Sequence, residues 1–198
     1  MKKLLLLSVV MLLSMAAASS SFAQRFGLKG GVNISSMSME GVKNYVGYQG
    51  GITCQIDLPL WFTIQPDLIF HVKGGVVEDI RSAVGLGYLE IPVNIQWGPR
   101  LFNKKVRVFG QASPYVGYAL SKDIVDPQGN KYGWANINRF EYGAAAGLGV
   151  QFWFLQLTAQ YNWSFGKLVN SNLAEESFKS MFSESNFDGY TVTLAILF

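Results

Sequence analysis

The chain has a single histidine, His71, and reactive chemistry is sought there first. Glu78 and Ser82 follow it closely in sequence. A histidine, a hydroxyl and a carboxylate are the parts of a nucleophilic hydrolase, in which the imidazole takes the hydroxyl proton and the acid orients the ring. A second candidate is the run Gly143-Ala144-Ala145-Ala146-Gly147-Leu148-Gly149, which has the glycine content of a phosphate cradle. A phosphate cradle opens a helix, whereas Val150-Gln151-Phe152 reads as strand, so small residues facing a crowded interior account for this run better. Cys54 is the only cysteine, which excludes an intramolecular disulfide and, with one histidine, a Cys/His metal set. No cofactor or metal is therefore expected. What remains is a set of charges, Lys29, Glu90, Lys105, Arg107 and Glu141, whose meaning depends on the elements that carry them.

Those elements begin after an export signal. Lys2 and Lys3 precede an apolar run from Leu4 to Leu13, and small residues then lead to Ser21-Phe22-Ala23, the layout of a secretory signal peptide cut before Gln24. Residues 1–23 are thus expected to be removed, leaving 24–198 as one domain. Without the two lysines the formal charge of +3 falls to +1, which gives no case for a nucleic-acid partner. No segment after residue 23 holds about 18 consecutive apolar residues, so a spanning helix is excluded and any membrane crossing must use strands.

Period two runs through the rest. Leu155, Leu157, Ala159, Tyr161, Trp163 and Phe165 share one face, with Gln156, Thr158, Gln160, Asn162 and Ser164 on the other. The same split separates Phe62, Ile64, Leu68 and Phe70 from Thr63, Gln65, Asp67 and His71. It also separates Leu89, Ile91, Val93, Ile95 and Trp97 from Glu90, Asn94 and Gln96. Further strands are predicted at Phe26–Ile34, Gly47–Asp57, Lys105–Ala119 and Asn138–Phe152, and Asp188–Phe198 alternates up to a terminal aromatic. About eight strands, apolar outside and polar inside, predict an all-β fold: an antiparallel up-and-down transmembrane β-barrel. A soluble ligand-binding barrel is the alternative by alternation alone, but it would turn its apolar side inward.

Connections alternate in length as such barrels require. Short links are expected at Leu58–Leu60, Gly98–Lys104 and around Trp153, on the periplasmic side. Long links are expected at Ser35–Val46, Val72–Gly87, Leu120–Ile137 and Gly166–Phe187, outside. Trp61, Phe62, Trp97, Trp153 and Phe198 would form one aromatic girdle, and Tyr48, Phe70, Tyr118, Phe140, Tyr161 and Tyr190 the other. Pro66, Pro92 and Pro114 lie inside three neighbouring strands, where each removes a ladder donor, so bulges or locally broken pairing are expected.

Several phrases resemble the PorT-type outer-membrane β-barrel domain common in Bacteroidetes. They are Gly27-Leu28-Lys29-Gly30-Gly31-Val32-Asn33, Gln65-Pro66-Asp67-Leu68, Tyr88-Leu89-Glu90-Ile91-Pro92 and Pro114-Tyr115-Val116-Gly117-Tyr118, in that order along most of the chain. The resemblance implies an outer-membrane barrel, includes all three prolines and supplies no catalytic motif; the founding type is linked with protein secretion and gliding.

The expected function is a non-enzymatic outer-membrane protein with a structural or interaction role through extracellular loops. The alternatives are a small pore or transporter and, with His71, Glu78 and Ser82 at the rim, a lipid A-modifying hydrolase. Expected partners are outer-membrane lipid and lipopolysaccharide, the barrel-insertion machinery with Phe198 as its assembly signal, and a protein at the loops. Asp123, Asp126, Glu175 and Glu176 could meet divalent ions bound to lipopolysaccharide. Parity aims Lys29, Glu90, Lys105, Arg107 and Glu141 inward, where confined charges must pair. The expectation is a closed polar plug with an ion-pair network in which Arg107 meets Glu90 or Glu141.

Overall fold

A computed structural model describes residues 24–37, 42–77, 82–102, 105–125, 139–165 and 187–198. The expected signal segment, Glu78, Asp126, Glu175 and Glu176 lie outside the described residues. The elements in chain order are β1 (Gln24–Met37), β2 (Val42–Asp57), β3 (Phe62–Val77), β4 (Ser82–Trp97), the two-residue β5 (Arg100–Leu101), β6 (Val106–Val125), β7 (Phe140–Phe152), β8 (Leu155–Ser164) and β9 (Phe187–Leu197). Each long strand pairs antiparallel with its sequence neighbours, β9 returns to β1, and β4 pairs with β6 past the short β5. The sheet is therefore a closed barrel of eight long strands, with no free edge along the wall.

Closure follows from the alternating pattern. On β9 Tyr190, Val192, Leu194 and Ile196 are exposed on the outer wall, while Thr191 and Thr193 are buried. On β3 the inward positions Thr63, Gln65, Asp67, His71 and Lys73 are all buried. The interior is thus mostly Gln, Asn, Thr, Ser and charge, an arrangement stable only where the outer apolar surface meets lipid instead of water. Among the described residues no helix is long and apolar enough to cross a membrane, so the crossing is made by strands.

The strands run further than the apolar pattern predicts. The expected links Val72–Gly87 and Ser35–Val46 are largely strand, since β3 reaches Val77, β4 starts at Ser82, β1 reaches Met37 and β2 starts at Val42. β6 continues from Ala119 to Val125, and its 20 residues exceed the roughly 9–11 needed to cross. Ladder bonds need no apolar side chain, so the wall continues above the lipid where the hydrophobic signal stops. At the other end Leu60, Trp61, Phe102 and Trp153 hold tight turns at positive φ (60°, 67°, 48° and 55°). These are costly conformations for bulky residues, and three of the four are aromatic.

Pairing is uninterrupted in the five seams β1–β2, β1–β9, β6–β7, β7–β8 and β8–β9. The other three each lapse beside a proline. β2–β3 pairs stop at Thr53↔Asp67 and resume at Ile56↔Ile64, around Pro66. β3–β4 pairs stop at Pro66↔Val93 and resume at Ile69↔Glu90, around Pro92. β4–β6 pairs stop at Pro92↔Tyr115 and resume at Ile95↔Ala112, around Pro114. Register is the same on both sides of every lapse, so the prolines break pairing without bulging the strand. The register shifts lie elsewhere in the same sector, between Asn44 and Gln49 on β2 and between Gly87 and Tyr88 on β4.

Candidate functional site

The lumen is the candidate site, and its side chains fall into layers. At the turn end Asp57 accepts from Arg25 Nη2 at 3.3 Å, from Thr63 Oγ1 at 3.0 Å and from Arg100. The next layer is glutamine. Gln55 Nε2 donates to Gln151 Oε1 at 3.0 Å, and Gln65 Nε2 donates to Gln156 Oε1 at 3.0 Å, each bond joining strands far apart in the sequence. Gln96 Nε2 donates to Gln65 Oε1 at 2.9 Å and to Gln111 Oε1 at 3.3 Å. Amides both donate and accept, so a ring of them can close on itself and leave few groups needing water.

Arg107 belongs to this layer. It is buried, donates Nη1 to Gln96 Oε1 at 2.9 Å, and lies over the Phe109 ring at 4.8 Å. It meets neither Glu90 nor Glu141, contrary to the sequence expectation, because its strand position falls several residues nearer the turn end than theirs. Lys105 is also not in the lumen. It is exposed in the turn before β6, since inward parity counts only once the ladder has begun.

Above the amides, Asn94 anchors a mid-depth layer. Its Nδ2 donates to the Gln65 carbonyl at 2.7 Å and to Asp67 Oδ2 at 2.8 Å, while Ser113 Oγ donates to its Oδ1 at 2.7 Å. Lys29 Nζ meets the same Asp67 oxygen at 2.7 Å. Glu90 and Glu141 meet higher up, on a cation the sequence reading did not include. Lys73 Nζ lies 2.6 Å from Glu90 Oε1 and 2.6 Å from Glu141 Oε1. His71 Nδ1 is 2.9 Å from Glu90 Oε2, and Tyr115 Oη donates to Glu141 Oε1 at 3.0 Å. The ammonium also stands 4.7 Å from the Tyr115 ring and 5.5 Å from the Tyr88 ring.

Lys73 shares the inward parity of His71, which was the available signal. It follows the point where the apolar alternation of the strand stops. The glycine-rich run is explained by its partners. Gly143 and Gly149 lie opposite Tyr115 and Phe109, and a Cβ on Gly149 would stand 2.3 Å from the Phe109 ring. The far ends of the two aromatic side chains reach the glycines on the inner wall, filling space that any side chain would contest.

His71 is held by the ion cluster. Its Nδ1 faces a carboxylate, which only accepts, so this nitrogen carries the proton. The ring is thereby a member of the ion cluster. Its Nε2 and the Asn33 amide have no protein partner and border a water-sized cavity shared with Ser35, Lys73, Asn162, Asp188 and Thr191 at the loop end. Among the described residues no group of three metal-ligating side chains occurs.

Residues 20–170 match the sequence profile of the family described as outer membrane protein beta-barrel domain. The solved structure of the outer membrane protein OprG from Pseudomonas aeruginosa aligns with a TM-score of 0.53 at 11% identity, covering 89% of this chain and 95% of that one. Neisserial surface protein A aligns with a TM-score of 0.52 at 11% identity, covering 88% and 97%. At such identity the likeness is one of fold. No curated protein matches the sequence.

Proposed function

The chain belongs to the outer membrane protein beta-barrel domain family, and from that premise we propose that this outer-membrane barrel is a non-enzymatic protein, closed to ions, that acts through its extracellular loops. The observation that carries the closed lumen is the amide layer. Gln65 on β3 reaches Gln156 on β8, and Gln55 on β2 reaches Gln151 on β7, so hydrogen-bonded side chains span the interior from wall to wall. Eight strands enclose a space that side chains can fill, whereas aqueous channels need about twice that number. With the lumen occupied by its own network and the wall committed to lipid, the loops are the surface left for recognition.

The resemblance to PorT-type barrels supports a role linked to protein secretion. On this reading residues 1–23 are a secretory signal removed before Gln24, Phe198 is read by the barrel-insertion machinery, and the loops face lipopolysaccharide and a protein partner. Ser35, the serine that borders the cavity beside His71, donates its hydroxyl to the Gly74 carbonyl at 3.0 Å and accepts from the Gly74 N–H at 3.2 Å, which supports a structural rather than a hydrolytic use of the imidazole. Planar-bilayer recording of the purified barrel tests closure: a silent membrane is expected, and a steady large conductance would replace this reading with a pore. Pull-down from intact outer membranes, with and without residues 166–187, tests the loops. Loss of a captured protein on loop removal supports an interaction role, and identical captures overturn it.

A further inference from the structure

The three lapses in pairing are aligned. Pro66 lies opposite Val93, the neighbour of Pro92, and Pro92 lies opposite Tyr115, the neighbour of Pro114. Moving one strand along the hydrogen-bonding direction therefore leads from each proline to within one residue of the next. Each ring nitrogen also takes its missing donor from the same side. Pro66 keeps its pairing with β4 and loses that with β2; Pro92 keeps β6 and loses β3; Pro114 keeps Ala144 on β7 and loses β4. Both register shifts fall in these same seams, while the five remaining seams run without a break. Irregularity is thus confined to one sector of the wall and concentrated on one line across it.

We propose that this line is a crease about which the loop-end half of the barrel bends, with Asn94 as the polar pin that holds it closed. Asn94 is suited to the task because it touches all three lapses. Its amide nitrogen reaches the Gln65 carbonyl beside the first and Asp67 beside the second, and its oxygen takes the Ser113 hydroxyl across the third. A side chain thereby supplies bonds where the backbone does not. Across the lumen above the crease, the Lys73 bridge to Glu141 ties β3 to β7 and limits how far the loop end can open. Below it, the glutamine layer joins β2, β3 and β4 to β7, β8 and β6 and keeps the turn end rigid. A hinge needs a line of weak pairing between two stiff bodies, and this barrel has both.

The test is a pair of spin-label distances in the full chain inserted in lipid vesicles, with Cys54→Ser removing the native thiol. Labels at Leu89 and Trp163 report the loop-end half, and labels at Ile95 and Leu157 report the turn-end half of the same two strands. The expected result is a distance distribution at least about twice as broad for the first pair, broadened further by Asn94→Val, with the second pair unchanged. Equal widths, or broadening of both pairs together, would overturn the crease. Should Asn94→Val not assemble, hydrogen exchange of the unmutated barrel decides. Amides of residues 67–68 and 93–94 should exchange at least about tenfold faster than those of residues 145–148 and 158–161 in the uninterrupted wall, and equal protection refutes the proposal.

Discussion

Lys73 is the most informative residue to remove. Replacing it with methionine keeps the length of the stem and deletes the one cation shared by Glu90 and Glu141, all three of which are buried. Breaking a buried ion pair from one side costs about 3–5 kcal/mol, because a desolvated charge is left behind. Without Lys73, Glu90 keeps His71 Nδ1 at 2.9 Å and Glu141 keeps the Tyr115 hydroxyl at 3.0 Å, and each acid has one oxygen, Glu90 Oε1 and Glu141 Oε2, with no hydrogen-bond partner. Neutralising either acid should therefore restore part of the loss. We expect Lys73→Met to lower unfolding free energy by about 3–5 kcal/mol, and Glu90→Gln or Glu141→Gln in the same background each to regain about 1–3 kcal/mol. Urea titration of the barrel in lipid vesicles, followed by tryptophan fluorescence, measures each. A cost below about 1 kcal/mol for the single variant would mean that water reaches the carboxylates, and no rescue by either glutamine would refute the argument from a stranded charge.

Gly149→Ala should destabilise by about 1–3 kcal/mol, the usual cost of overpacking, since the new methyl would meet the Phe109 ring; Phe109→Leu in the same background should recover part of it, and urea titration checks both. Leu157→Arg, on the lipid face, should cost about 2–4 kcal/mol if it lies near the midplane, while Thr158→Ser one residue away changes little; equal effects would mean that the faces are reversed. Phe198→Ala should reduce the amount of heat-modifiable barrel recovered from outer membranes without reducing export, and normal levels would remove the assembly role. Phe198 is largely exposed, and its N–H donates to the Phe26 carbonyl at 2.7 Å, which a backbone-preserving substitution leaves intact.

Alternation made the wall legible in the sequence. Every apolar position assigned to the outer face of β8 and β9 faces outward, because a period of two admits only two faces and one must meet lipid. The rest lies where that signal ends or carries no partner information. Lys73 lies past His71, where the alternation of β3 gives way to Gly74 and Gly75. The partner of Lys29 is Asp67, which parity had placed inside but had not matched, because the match depends on strand stagger. Arg107 failed to reach Glu90 for the same reason. The glutamines were seen as inward polar residues, yet nothing in one strand reveals that Gln65 will meet Gln156 on the opposite wall. Asn94 is the clearest case. Its importance comes from three prolines on three strands arriving at one height, a coincidence that exists only after the sheet is rolled.

The ladder that closes the barrel joins the beginning of the domain to its end, pairing Gly27 with Leu197 and Met37 with Phe187. No local turn brings these strands together, so the closing step comes late and is slow by the measure of contact order. Until then β1 and β9 each present a full row of unpaired backbone groups, and every shorter chain ends with two adhesive edges instead of a smaller barrel. Completion is all or nothing. A nascent chain that has made its first seven long strands has gained most of its lipid-facing surface and none of the protection that the eighth confers. The interval before closure is therefore when the two unpaired edges are most open to pairing with another chain.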